Sequence, residues 1–319
     1  MRIVITGSIA YDYIMAFPGR FRDHILPDKL DSLALSFLVD TLTKQRGGVA
    51  PNIAYTLALL GGQSAILATA GQDFPEYCAW LEAHGIDTSP IKVIPELFTA
   101  SFFASTDQVS GQIALFYPGA MAQASQVSFH DLPYRPDFAM ISPDDPAAMA
   151  KHLRECLELG IPYAYDVSWQ LARLAADEIR EGIRGCQMLI VNDYEMGLIT
   201  DKTGIKETDP ALKGKIVVVT RGEKGVTIFD EAGGRYDISA VPPSSVADPT
   251  GAGDAFRGGL LRGMAAGWGW ELAGQMGALA ATYCLEHTGT QNHAYSRAEF
   301  VQRFREHFED AGVLDTLLS

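Results

Sequence analysis

Cysteine, basic charge and long apolar runs are all scarce in this chain, and each scarcity removes a class of function. Only four cysteines (Cys78, Cys156, Cys186 and Cys284) occur in 319 residues. They are widely spaced and form no C-x-x-C, so neither a disulfide framework nor a zinc-ribbon pattern is present. Four core thiols in a reducing cytosol are expected, which predicts a cytoplasmic protein. Lys and Arg number 25 against 39 Asp and Glu, a formal net charge of −14. That deficit argues against a nucleic-acid polymer or an anionic membrane surface as partner, because both reward clustered cations. It leaves room for a small phosphorylated ligand, which local N–H groups and a bound metal can hold on an acidic protein. No uninterrupted apolar stretch reaches about 18 residues, so no membrane span is expected, and the apolar start at Ile3-Val4-Ile5 is too short for a signal peptide.

Several nucleotide and metal motifs are missing too. There is no G-x-x-x-x-G-K-[ST], which excludes a P-loop kinase, and no protein-kinase signature set. No G-x-G-x-x-G follows the first apolar run, which weakens a dinucleotide-dependent oxidoreductase, and no H-E-x-x-H marks a metalloprotease. The seven histidines are scattered. What remains is an ordinary globular composition, 47 % apolar and 20 % charged, in a chain long enough for one large domain.

Short apolar runs alternate with helical patterns. Ile3-Val4-Ile5-Thr6, Ala65-Ile66-Leu67-Ala68, Phe138-Ala139-Met140-Ile141, Tyr163-Ala164-Tyr165-Asp166, Met188-Leu189-Ile190-Val191 and Ile216-Val217-Val218-Val219 are apolar on both faces, as buried parallel strands are. Residues 52–60, 147–159, 171–184 and 271–286 show helical spacing, and 296–309 carries Phe300, Phe304 and Phe308 at i, i+4 and i+8. The sum predicts an α/β fold, a mainly parallel sheet with helices on both faces. Residues 11–40 and 97–117 do not fit the alternation. The second reads as a β-hairpin across Asp107-Gln108-Val109-Ser110-Gly111. Both are expected to form a small β-rich lid.

Asp248-Pro249-Thr250-Gly251-Ala252-Gly253-Asp254 is the richest stretch. The small residues Gly251, Ala252 and Gly253 let backbone N–H groups converge on an anion. A helix pattern follows, whose start suits a phosphate or a developing oxyanion. Asp254 sets a carboxylate at the same spot, where it can take a proton from an attacking hydroxyl. A plain capped turn, with Asp254 as N-cap, would explain the same residues. Gly47-Gly48-Val49-Ala50-Pro51-Asn52, Asn192-Asp193-Tyr194-Glu195 and Thr220-Arg221-Gly222-Glu223-Lys224-Gly225 add three motifs near strand ends or helix starts. Asp12 with Asn52 suits a vicinal diol, the one accepting and the other both donating and accepting. Turn and helix caps explain each of these equally well.

Four such motifs in this order resemble the ribokinase-like, or PfkB, family of sugar and nucleoside kinases, over essentially the whole length. The resemblance implies a three-layer α/β/α kinase domain spanning 1–319, with ATP and Mg²⁺ as cofactors. It implies Asp254 as catalytic base with Gly251, Ala252 and Gly253 as the anion-binding turn, and Asp12, Gly47, Gly48 and Asn52 on the substrate hydroxyls. It places Asn192, Thr220, Arg221, Gly222 and Gly225 at the nucleotide and Glu195 at Mg²⁺ through water. Thr288-Gly289-Thr290-Gln291 would border the adenine pocket or a monovalent-cation site. Ribokinase-type sequences carry Lys-Gly-Ala-Asn-Gln after the Gly-Gly pair; here Val49-Ala50-Pro51-Asn52-Ile53 stands instead. That form, with Phe116-Tyr117-Pro118-Gly119-Ala120-Met121, looks more like the adenosine or nucleoside kinases. Phe98, Phe102, Phe103, Phe116 and Tyr117 would supply stacking surface for a base. A sugar kinase, or a non-catalytic nucleotide-binding relative, stays open at this point. So do a homodimer through the lid and a monomer whose lid closes.

Overall fold

Strands covered on both faces read as unbroken apolar runs, and all six such runs are strands of one sheet. The computed structural model describes residues 1–25 and 34–318. The first part of the chain forms β1 (Ile3–Thr6), β2 (Ala10–Ala16), β3 (Thr41–Gly47), α1 (Val49–Leu59), β4 (Ser64–Leu67), β5 (Thr69–Gly71), α2 (Pro75–Ala83) and β6 (Lys92–Ile94). The middle forms β7 (Ala100–Thr106), β8 (Gln112–Tyr117), β9 (Phe138–Ile141), α3 (Pro146–Leu159), β10 (Tyr163–Asp166), α4 (Ala176–Gly185), β11 (Met188–Asn192) and α5 (Asp193–Thr203). The last part forms β12 (Ile216–Thr220), β13 (Val226–Phe229), β14 (Arg235–Ile238), α6 (Ala252–Ala265), α7 (Trp270–Leu285) and α8 (Arg297–Arg305).

The large sheet has eight strands in the order β14-β13-β12-β11-β10-β9-β1-β4, parallel from β12 to β4, with β13 and β14 added antiparallel at one edge. Alternate residues of its strands feed two cores. Ile3, Ile5, Met140, Ile190 and Val218 pack with Ile53 and Leu57 of α1 and Leu260 and Leu261 of α6. Val4, Ala139, Leu189 and Val217 pack on the other side with Met149 and Leu153 of α3, Ile179 and Ile183 of α4 and Ile199 of α5. This is the expected three-layer arrangement. In the terminal helix Phe300 and Phe304 are fully buried. Among the described residues no helix is long and apolar enough to cross a membrane.

A second sheet of four strands, in the order β3-β2-β7-β8, contains the expected hairpin as β7 and β8. Its fourth strand, Thr41–Gly47, was not anticipated, because Thr-Leu-Thr-Lys-Gln-Arg-Gly lacks an apolar alternation and lies largely exposed at the sheet edge. The segment 11–40 contributes only Tyr11 to Ala16 as strand, and 26–33 lies outside the described residues. Residues 171–184 also differ from expectation. Ser168–Ala172 is a 3₁₀ turn and α4 starts at Ala176, where the Ala175 N–H donates to Glu178 Oε2 at 2.7 Å and starts a new helix.

Register settles which lid aromatics lie together. Asp12 pairs with Gln45 and Phe102, and Phe102 pairs with Phe116, so these four share one face of the small sheet. Phe103 and Tyr117 fall on the opposite face, where Phe103 stacks on Tyr13 with centroids 4.8 Å apart. Of the five aromatics expected to supply the stacking surface, Phe102 and Phe116 are therefore separated by the pleat from Phe103 and Tyr117, and Phe98 precedes β7.

Candidate active site

Gly251 is the N-cap of α6 and sits at φ +81°, a left-handed conformation, with Thr290 packed where a side chain would begin. Asp254 is the third residue of the helix, not its cap. The first-turn N–H groups of Ala252, Gly253 and Asp254 precede any intrahelical acceptor, that of Ala252 lying 3.5 Å from the Pro249 carbonyl. The helix therefore begins within the Gly-Ala-Gly stretch, which lies at the positive end of its dipole.

Long-range hydrogen bonds fix this turn. Asp248 accepts from the Thr250 N–H at 2.9 Å and from the Gly289 N–H at 3.1 Å, tying it to the segment after α7. Asn52, buried as the fourth residue of α1, donates from Nδ2 to Asp254 Oδ2 at 2.9 Å. Its Oδ1 accepts from Gln291 Nε2 at 2.8 Å. Thr290 Oγ1 donates to the Arg46 carbonyl at 3.0 Å, and the Tyr77 hydroxyl to the Gly47 carbonyl at 2.8 Å. The Gly-Gly turn and the Gly-Ala-Gly turn are therefore clamped together by Gln291, Thr290 and Tyr77. Only the segment holding Gln291 and Thr290 stood out in the sequence.

The Gly47-Gly48 pair is required by space. Gly48 has φ +94°, and a Cβ there would lie 2.5 Å from the Ser8 carbonyl oxygen; one on Gly47 would lie 2.6 Å from Asp12 Oδ2. Asp12 stands mid-strand in β2, capping no turn, and its carboxylate accepts no hydrogen bond from protein among the described residues. Burial raises its carboxyl to about 6, with Asp248 adding to the rise. Burial also raises the Asp254 carboxyl to about 6, with Arg257 and the Asn52 amide opposing it. Phe116 is half exposed and meets Trp169, 6.1 Å between centroids and edge-on, across the gap between the two sheets. Trp169 was not singled out in the sequence, because nothing local distinguishes it.

Asn192 and Thr220 are register partners at the carboxyl ends of β11 and β12. Asn192 caps α5 by accepting from the Glu195 N–H at 2.7 Å, and Glu195 Oε2 accepts from the Asn192 N–H at 2.8 Å. The capping explanation of this pair is thus realised, and it leaves Glu195 Oε1 for another partner. Arg221 places its guanidinium on Glu207 at 2.5 Å, so at this motif the backbone and the left-handed Gly222 (φ +56°) and Gly225 (φ +87°) are what a ligand would meet. Among the described residues no group of three His, Cys, Asp or Glu side chains is arranged to hold a metal.

As a base Asp254 would have to be charged to take a proton, and Asp12 accepts from two hydroxyls best as a carboxylate. Because both carboxyls are raised to about 6, the charged forms are lost as pH falls through that value. Log kcat/KM is expected to fall below about pH 6 with a slope steeper than one, the mark of two protonations in the free enzyme. An acid limb with its midpoint near pH 4 would contradict this.

A model of the pfkB family of carbohydrate kinases matches residues 3–297. A nucleoside kinase from Burkholderia thailandensis, solved in complex with inosine, is 37 % identical with a TM-score of 0.85, covering 96 % of this chain and 98 % of its own. The nucleoside kinase of Methanocaldococcus jannaschii, solved as an archaeal member of the ribokinase family, is 25 % identical with a TM-score of 0.85 over 96 % and 98 % of the two chains. Among curated proteins, the nucleoside kinase of Methanothermobacter thermautotrophicus is 26 % identical over 310 residues, 95 % of each chain. With a family model spanning nearly its whole length and its fold matched from end to end, this chain belongs to the pfkB family of carbohydrate kinases.

Proposed function

We propose that this protein transfers the γ-phosphoryl group of ATP to the 5′-hydroxyl of a purine nucleoside, adenosine or inosine. The observation that carries the reading is Asp254, held by Asn52 at the foot of a first-turn anion site. Asp254 takes the proton of the attacking hydroxyl, and the N–H groups of Ala252, Gly253 and Asp254 hold the charge that spreads over the transferring group. Magnesium, carried by the ATP phosphates and met through water by Glu195 Oε1, would neutralise that charge; a site with few protein ligands suits this ion. Asn192, Thr220, the Arg221 backbone, Gly222 and Gly225 border the nucleotide.

Asp12, Asn52 and the Gly47-Gly48 turn receive the ribose hydroxyls, and Phe116 supplies the base face. Support for a nucleoside comes from two sides. Phe116 shares its sheet face with Asp12 and reaches Trp169, just beyond β10 of the large sheet. The Burkholderia relative is also solved in complex with ADP-inosine. The four-stranded sheet acts as the lid. Its outer face exposes Leu42 and Leu115, and β8 is an exposed edge strand, which suits pairing with a second copy. Four free thiols, three of them buried, suit a reducing cytosol.

The test is ADP release with Mg·ATP against adenosine, inosine, other nucleosides, ribose, fructose and fructose phosphates. Purine nucleosides are expected to exceed every sugar in kcat/KM by at least about a hundredfold. Preference for a sugar would keep the chemistry and discard the base-binding role of Phe116. Tight binding without turnover would mark a binding protein.

A further inference from the structure

The sequence offered no reason to notice Arg257, yet it is the most deeply buried cation near the turn. It lies one helical turn beyond Asp254 on α6, so both project from the same side. It is 7 % exposed, and Asp166, the last residue of β10, is 1 % exposed. Nη2 donates to Asp166 Oδ1 at 2.7 Å, and Nε lies 2.7 Å from Oδ2 without hydrogen-bond geometry, so one hydrogen bond and a close charge contact hold the pair together. The third nitrogen, Nη1, is 2.9 Å from where a Cβ on Gly253 would sit, directly beneath the anion-binding turn. A side chain on Gly253 would crowd this end of the guanidinium.

Stability is a poor reason to bury such a pair, since apolar residues of similar volume usually serve as well or better. Location is a better reason. We infer that Arg257, clamped by Asp166, is a positioning residue for phosphoryl transfer: its guanidinium sits under the Gly251–Gly253 turn and beside Asp254, holding the base charged and the turn in place. The inference rests on Asp254 being the base. Other groups face Asp254 from several elements: the Asn52 amide from α1, Glu195 from α5, Asp166 from β10 and the Cys284 thiol from α7. Of these and Arg257, only Arg257 is a cation, so it offsets the carboxylates around it.

The pair makes opposite demands on the pH profile, which a purely structural role does not. Arg257→Met removes the cation and is expected to move the acid limb of kcat/KM upward by about one pH unit, with plateau kcat reduced roughly ten- to hundredfold. Burial raises the Asp166 carboxyl to about 7 against the pull of Arg257, so Asp166→Asn removes only part of a negative charge near pH 6 and is expected to move the limb downward by less than Arg257→Met moves it up. The double variant is expected between the two single ones. Arg257→Lys keeps charge but loses the fork, so kcat falls while the limb stays near its wild-type place. Should Arg257→Met fail to fold with Asp166 left alone, the double variant and Arg257→Lys carry the comparison. Limbs that stay fixed in every folded variant, or that move the same way in both single variants, would overturn the inference. Asp254→Asn separates the two levels: if it turns over normally the base assignment fails, and if it is inactive while the limbs stay fixed only the role of Arg257 fails.

Discussion

Asp254→Asn is expected to lower kcat by at least about a hundredfold while leaving the protein folded and no less stable than the wild type. The two halves of that expectation have one cause. Burial raises the Asp254 carboxyl from an ordinary 3.8 to about 6, so the folded state holds an unfavourable charge at neutral pH, at a cost on the order of 1–3 kcal/mol. The sign follows from the direction: a carboxyl harder to ionise when folded opposes folding in full above about 6, and that opposition fades as pH falls from there and is gone below its unfolded value of 3.8. Asparagine has the same shape and removes the charge. It also removes the proton acceptor, without which general-base assistance worth about 10²–10⁴-fold is lost. Thermal melting beside the ADP-release assay checks both. An inactive variant with an unchanged or raised Tm supports the assignment; near wild-type turnover sinks it, and a collapse in Tm would show that Asp254 chiefly holds the turn.

What the sequence made legible follows from what is local. Six apolar runs name six parallel strands because burial on both faces needs no knowledge of partners. The seven residues ending at Asp254 announce an anion site because turn, helix start and carboxylate are consecutive. Residues that act across the fold left no such trace. Asp166 and Arg257 are 91 positions apart, and Gln291 stands 239 from Asn52. No periodicity links them, and an aspartate ending a strand or an arginine inside a helix has many ordinary explanations. The small sheet was legible only in part, its hairpin but not its edge strand β3, for another reason. A half-exposed strand such as Thr41–Gly47 is defined by its neighbours and not by its own side chains. Phe102 and Phe103 are adjacent and so on opposite faces, and only the pairing with Asp12 and Tyr13 reveals which of them shares the Asp12 face.

The same register makes Asp12 the second residue on which a large effect is expected. It stands on the face shared by Gln45, Phe102 and Phe116, against the Gly47 backbone, and its carboxylate has no protein donor among the described residues. A partly buried carboxylate without donors is costly unless a ligand brings them, and a ribose diol brings two. Hydrogen bonds to a charged group contribute about 1.5–3 kcal/mol each. Asp12→Ala is therefore expected to lower kcat/KM for a ribonucleoside by roughly 10²–10⁴-fold, mostly through KM, since Asp254 and its turn are untouched. The same loss should appear when the enzyme is left intact and the substrate is a 2′,3′-dideoxynucleoside. Combining the two removes the interaction only once, so the variant is expected to treat ribo- and dideoxynucleosides within about tenfold of each other. Measuring kcat/KM for both substrates with both proteins closes this cycle. Wild-type enzyme that turns over the dideoxynucleoside as well as the ribonucleoside would show that Asp12 binds something other than the diol, and additive losses would show that it acts elsewhere.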